Sequence, residues 1–150
     1  MTVQRILNTQ HDRTITHIAP DALIGQVLQS REFENDGALV VSSDGSTLEG
    51  IISERDIVRG LQSIGPHLLN KPVRDLMTAK VLTCTPEDRA AGIMAIMVSR
   101  HVRHLPVLKE GKLVGMVSIH DLLQLRLDEV QIVIATIVGR CRAYEPHDVR

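Results

Sequence analysis

Gly50-Ile51-Ile52-Ser53-Glu54-Arg55-Asp56 is echoed further along by Gly115-Met116-Val117-Ser118-Ile119-His120-Asp121. The glycines and the aspartates of the two stretches are both 65 positions apart (50 to 115, 56 to 121), whereas upstream Pro20 and Pro86, and Val41 and Val107, are 66 apart. The chain is a duplication with a one-residue difference between its copies. That difference falls in a polar turn, where residues 42–47 of the first copy are one longer than residues 108–112 of the second. Turns tolerate insertions that packed elements do not, so two copies of one folded unit should differ there.

The periodicity around the motif gives each copy the same order of elements. Residues 13–18 alternate and are β-rich, and Pro20 opens an amphipathic stretch with Leu23, Ile24, Val27 and Leu28 at helical spacing. Residues 38–41 and 48–52 are apolar runs on either side of Asp44 and Gly45, a hairpin pattern. Ser53 then starts a helix to about Leu61, which Gly65 and Pro66 interrupt, and residues 72–77 form a short linking helix. In the second copy the strand is 81–84, the helix 86–99, the hairpin 105–109 with 113–118, and a closing helix runs from Ile119. Each unit is β-α-β-β-α. Pro106 has no N–H for a ladder, which puts its strand at a sheet edge or a bulge. The closing helix is apolar on more than one face, and a second copy of the chain is its simplest cover. Within it, residues 132–138 are β-branched enough to allow a strand instead.

Gross properties limit the function. The 150 residues are 43% hydrophobic, enough for one compact domain or two closely packed small ones. With a formal charge of -1 and 1% aromatic residues, neither a general electrostatic field nor stacking surfaces exist for nucleic acid. Residues 1–10 lack a secretory signal pattern and no apolar run approaches membrane-spanning length, so the expected location is the cytoplasm, without membrane insertion. Cys84 and Cys141 form no Cys-x-x-Cys pair, which leaves a disulfide framework or zinc knuckle without support.

Ser-x-x-Asp ahead of an apolar helix is first of all a capping box, in which serine accepts a free helix N–H and the acid reaches back to the cap. Thr85, Pro86, Glu87 and Asp88 show the same spacing where no chemistry is suggested. What singles out the other two is their frame: a glycine at an apolar strand, the strand running straight into serine, and aspartate in the first helical turn, twice over. With this frame the chain resembles the tandem cystathionine-β-synthase (CBS) domain pair, or Bateman module. The resemblance runs from about Val3 to about Leu127 and takes in Pro72-Val73-Arg74-Asp75-Leu76-Met77-Thr78 and Arg103-His104-Leu105-Pro106-Val107.

The resemblance implies an α+β fold of two repeats packed with pseudo-twofold symmetry, 1–71 with a lead-in and 72–150 with a long C-terminal helix and tail. It also implies adenosine-nucleotide binding in clefts between the repeats, with AMP, ADP, ATP, NAD(H) or S-adenosylmethionine as regulatory ligand. By resemblance Ser53 and Asp56 belong to one cleft and Ser118 and Asp121 to the other, the aspartates on ribose hydroxyls. Elementary chemistry agrees, because an ionised carboxylate accepts from a vicinal diol and a helix N-terminus favours both that charge and a phosphate. Arg55 and Arg103 are candidate phosphate partners, with His104, Pro106 and His120 beside them. Adenine would lie against aliphatic groups around Ile15, Ile18, Val81 and Cys84. The copies are unequal: His120 replaces the arginine before the aspartate, and Gly37 and Ala38 stand where the second copy has Arg103 and His104. The first cleft is therefore expected to take a less charged ligand, to bind weakly or to stay empty.

His101 and His104 alone make no metal site, and neither a Gly-x-Ser-x-Gly elbow nor a Walker lysine loop is present. Met94 and Met97 form a stripe expected in the core or at a dimer contact. The reading is a non-catalytic, homodimeric sensor module that signals to an unidentified regulated protein. The rivals are a structural adaptor with vacant clefts and, behind it, a small nucleotide-processing enzyme.

Overall fold

A computed structural model describes residues 1–10 and 15–138. The expectations for Arg13, Cys141 and the tail after Arg140 lie outside the described residues. The elements, in order, are α1 (Val3–Thr9), β1 (His17–Ile18), α2 (Ile24–Leu28), α3 (Arg31–Asp36), β2 (Ala38–Val41), β3 (Gly50–Ser53) and α4 (Glu54–Ile64). A 3-10 helix (Gly65–Asn70) follows, then α5 (Val73–Leu76), α6 (Ala90–Arg100), β4 (His104–Lys109), β5 (Lys112–Ser118) and α7 (Ile119–Val138).

The duplication is visible in the pairing. Ile18 pairs in parallel with Val41 as Cys84 does with Val107, 66 positions on at both ends (18 to 84, 41 to 107). Across the hairpins Val41 faces Gly50 and Val107 faces Gly115, so the extra residue lies between these pairs. In the longer turn the Asp44 carboxylate accepts hydrogen bonds from the Ser46 and Thr47 N–H groups and from the Ser42 and Thr47 hydroxyls, replacing a tight turn by a side-chain-bonded one. β2 is central in the order β1-β2-β3 and buries all four residues, whereas β5 alternates, as a half-covered strand must. Pro106 lies where its missing donor does least harm. Its carbonyl accepts from the Cys84 N–H on the outer side of the two-stranded β4-β5 sheet, and a bulge follows at Val107/Leu108.

Some expectations change. Of the described residues of the 13–18 run two are strand, and 81–84 contributes a single bridge, at Cys84. The helices begin after Pro20 and Pro86 rather than on them, at Ile24 and Ala90; in the second copy Asp88 accepts from the Thr85 N–H at 2.7 Å and folds 85–88 into a turn. The first copy divides this helix into α2 and α3, because the Ser30 hydroxyl accepts from Phe33 N–H and caps a new helix that ends at Gly37, φ +74°. Residues 132–138 are helix, not strand.

Helix α1 is a third echo. Val3, Ile6 and Leu7 stand 70 positions before Val73, Leu76 and Met77 (3 to 73, 6 to 76, 7 to 77). The linker is stitched to the first repeat by Val73 N–H to Ala22 O and Ile24 N–H to Lys71 O. The lead-in is stitched to the second by Val3 N–H to Asp88 O and Ala90 N–H to Met1 O. Two cores result. Val73 is buried with Ile24, Val27, Phe33, Ile52 and Leu68, while Val3 and Ile6 are buried with Cys84, Ile93, Met97, Leu105 and Leu122.

Candidate functional site

Each motif strand delivers its serine directly to the N-terminus of the following helix. Ser53 donates to Asp56 Oδ2 through its N–H and its hydroxyl, both at 2.9 Å. Ser118 does the same to Asp121 Oδ2, at 2.8 and 2.7 Å, and Asp121 N–H returns a bond to Ser118 Oγ at 3.1 Å. Both are capping boxes, worth roughly 0.5–2 kcal/mol each. The carboxylates differ at their other oxygen. Asp56 Oδ1 accepts from the Thr78 hydroxyl at 3.1 Å, whereas Asp121 Oδ1 has no protein donor among the described residues.

The two helix N-termini open on one cleft of about 890 Å³, lined by both repeats. A pocket of roughly 300–1,000 Å³ is the size that encloses a small organic ligand. Ser53, Arg55, Asp56, Val81, Arg103, His104, Ser118, His120 and Asp121 all border it. The two Ser/Asp pairs, expected in different clefts, both border this one cavity, because the two strand-to-helix junctions meet where the repeats abut. A second cleft of about 400 Å³ contains Ile15 with Thr16, Leu39 and Met116, and neither motif aspartate.

Three expected contacts line neither cleft. Cys84 is buried in the second core with Sγ toward Pro106 O at 3.9 Å, Pro106 is itself buried, and Ile18 packs on the first core. Val81 and Leu82 are the residues of that segment that reach the cavity. Burial pushes the Cys84 thiol up to about 12, with Asp88 adding in the same direction. Such a thiol is packing, not chemistry.

Several polar groups at the rim are already engaged. Arg55 Nη1 donates to His101 O at 3.0 Å, tying helix α4 to the other repeat. His104 Nε2 lies 2.5 Å from Asp36 O, and because a carbonyl only accepts, Nε2 carries the hydrogen. Burial lowers the His104 pKa against the opposing pull of that carbonyl and of the Asp36 charge. The ring is then neutral near pH 7, with Nδ1 as an acceptor. The Arg103 guanidinium, by contrast, has no hydrogen bond or ion pair among the described residues, although the backbone carbonyl of Arg103 accepts from Ile119 N–H at 2.8 Å. Guanidinium stays charged at any working pH. His101 takes the left-handed conformation at the end of α6, and no cluster of metal-ligating side chains occurs among the described residues.

Lining residues that the pattern did not single out include Thr78, Lys80, Arg59 and Arg100. Arg59 had a signal, since it lies four residues after Arg55 and so on the same helical face. Thr78 had none beyond its place in the linker.

A family model for the CBS domain matches residues 11–63 and 73–128. The mitochondrial CBS domain-containing protein CBSX3 of Arabidopsis thaliana is 37% identical over 69% of this chain and 52% of its own length. The chain thus spans about half of that relative, and no more than 66% of the next two curated ones. Among solved structures, CBS-domain protein ATU1752 from Agrobacterium tumefaciens is 30% identical with a TM-score of 0.77, covering 84% of this chain and 99% of its own. The fold is also that of the CBS pair of protein MJ0100, solved with 5'-methylthioadenosine and S-adenosyl-L-methionine (20% identity, TM-score 0.73, covering 86% and 98%). CBSX2, solved with AMP, shares it as well (22%, 0.69, covering 86% and 98%).

Proposed function

The chain belongs to the CBS-domain family, and on that premise we propose that it is a regulatory module that binds an adenosine nucleotide between its repeats without turning it over. The observation that carries this reading is the chemistry of the larger cleft. A carboxylate with an oxygen to spare, held at a helix N-terminus, shares a nucleotide-sized cavity with an uncommitted arginine. A ribose diol offers two donors to the first and a phosphate two acceptors to the second. Support comes from the adenosine compounds held by MJ0100 and CBSX2, two proteins of the same fold.

Binding shifts such a module only by the difference in affinity between its conformations. A cleft lined by both repeats suits that, since a change in their spacing changes its fit. The signal passes to a partner protein. We place the module in a reducing compartment, the cytoplasm, where the buried free thiol of Cys84 is stable. No helix among the described residues is long and apolar enough to cross a membrane.

We further propose a homodimer. On α7, Leu123, Leu127, Val130, Ile134 and Ile137 alternate at spacings of four and three and are each about half exposed. That is the a/d spacing of a coiled-coil seam, which a second copy covers.

Thermal melting with AMP, ADP, ATP, NAD(H) and S-adenosylmethionine tests the nucleotide reading. Free ligand at 100 times the dissociation constant adds ~2.7 kcal/mol, a shift of roughly 5–10 °C for a chain of this size. No shift with any of them at millimolar concentration favours a structural adaptor, and steady product release favours an enzyme.

A further inference from the structure

The lead-in and the linker are the same element used twice, yet they end differently. The linker leaves its helix at Met77, φ -59° and ψ 152°, and Thr78 then pairs with Ile51 through bonds in both directions. That extended turn carries the Thr78 hydroxyl to Asp56 Oδ1. The lead-in stays helical through Thr9, so Asn8, the residue 70 positions before Thr78 (8 to 78), bonds along its own helix to Gln4 instead. It leaves Asp121 alone. Of the two arginines expected to meet a phosphate, Arg55 is held by His101 O, while the Arg103 side chain is uncommitted.

Building on the nucleotide reading, we propose that the two motif aspartates have different jobs. Asp121 holds the ribose diol of a single nucleotide per chain, with Arg103 as a cation for its phosphate. Asp56 is a latch that fastens the linker to helix α4. A diol approaching Asp56 must compete with Thr78 for Oδ1, and with two serine donors already on Oδ2 that carboxylate has little left to offer. Asp121 Oδ1 needs no such exchange. A buried or part-buried acceptor whose donors are all supplied by the protein gains nothing from a ligand hydroxyl that merely replaces one of them.

Calorimetric titration of the full chain with AMP, or with the compound of the melting panel that gives the largest shift, decides the matter. Wild type should take up one equivalent. Asp121→Asn, whose amide oxygen still accepts at the cap, should weaken binding about tenfold or more. Asp56→Asn should change the dissociation constant less than about threefold and lower the melting temperature of the ligand-free protein. In the latch, Thr78→Val should lower that melting temperature as well, and the double variant Asp56→Asn/Thr78→Val should melt no lower than the worse single one, because coupled partners are not additive. Two equivalents in wild type, equal losses in the two aspartate variants, or additive effects of Asp56 and Thr78 overturn the division of roles while leaving nucleotide binding intact. Wild type that takes up none of the panel overturns both.

Discussion

Cys84 and His104 are the two residues of the second repeat whose surroundings move their protons most informatively, and they move them toward the same end, loss of charge. Cys84 has 3% of its surface exposed, and burial holds its thiol near 12 against an ordinary 9.0. The folded state therefore favours the neutral thiol. Its contribution to stability is complete below pH 9.0 and is lost as the pH rises toward 12. Alkylation at pH 8 followed by peptide mass mapping should leave Cys84 unmodified in native protein and label it in denaturant; labelling of native Cys84 at the denatured rate would contradict its burial. His104 works in the other direction of pH. Its value is depressed from 6.5, so its contribution is complete above 6.5 and fades as acid drives the ring to ionise in its buried position. The paired Ser-x-x-Asp motifs were legible in the sequence because a capping box is local, four residues long with a fixed spacing. Thr78 was not, since its partner lies 22 residues away and the contact depends on where the linker leaves its helix. Cys84 looked like a ligand contact for a related reason: its segment does reach the cleft, at Val81 and Leu82, but Cys84 itself turns into the core.

Among the elements, the hairpins show how the repeat is tied to the segment that precedes the next. Gly50 begins β3 beneath the linker, where an added Cβ would stand 2.8 Å from Met77 Sδ and 2.9 Å from the Thr78 carbonyl oxygen. Gly115 is its equivalent beneath the lead-in, where the obstacle is the Leu7 Cδ2 atom at 2.6 Å. A side-chain methyl can rotate away and a bridged backbone carbonyl cannot. Gly50→Ala should therefore cost about 1–3 kcal/mol, the range for overpacking a fixed neighbour, and Gly115→Ala clearly less. Urea denaturation of the two variants compares them, and the reverse ranking would mean that the linker yields more readily than Leu7. Of the elements, β2, β3, α4, β4 and β5 were readable to within a few residues, because β3 and β5 alternate in burial, β2 and β4 are short apolar runs beside a turn, and α4 has a marked cap. Among the described residues the first strands amount to two residues and one bridge, because β-propensity is weak where only one neighbour is available. Helices α1 and α3 were missed. The first is short and bound by its docking, and the second is announced only by Ser30 and Gly37, seven residues apart (30 to 37).

At the scale of the whole molecule, two cores of modest size are closed by contacts that cross between repeats, and α7 extends beyond them. Among the described residues its outer half meets nothing that hides Val130, Ile134 or Ile137. Light scattering on purified protein should give twice the chain mass of 16.6 kDa, and Leu127→Glu with Ile134→Glu should give the single chain with the nucleotide-induced melting shift retained. A wild type that is monomeric at micromolar concentration would remove the seam from the account.

The crossed docking of α1 also bears on how the chain is made. A ribosome releases Val3 and Ile6 before any of the side chains they are buried with, since Cys84, Ile93 and Leu122 come some eighty to a hundred and twenty residues later (3 to 84, 3 to 122). The first repeat can close as soon as its linker emerges, whereas the lead-in must wait, apolar and unmatched, until the second repeat has emerged. Loops of that length are slow to close. A segment made ahead of the first repeat thus finds its seat only once the second has been made.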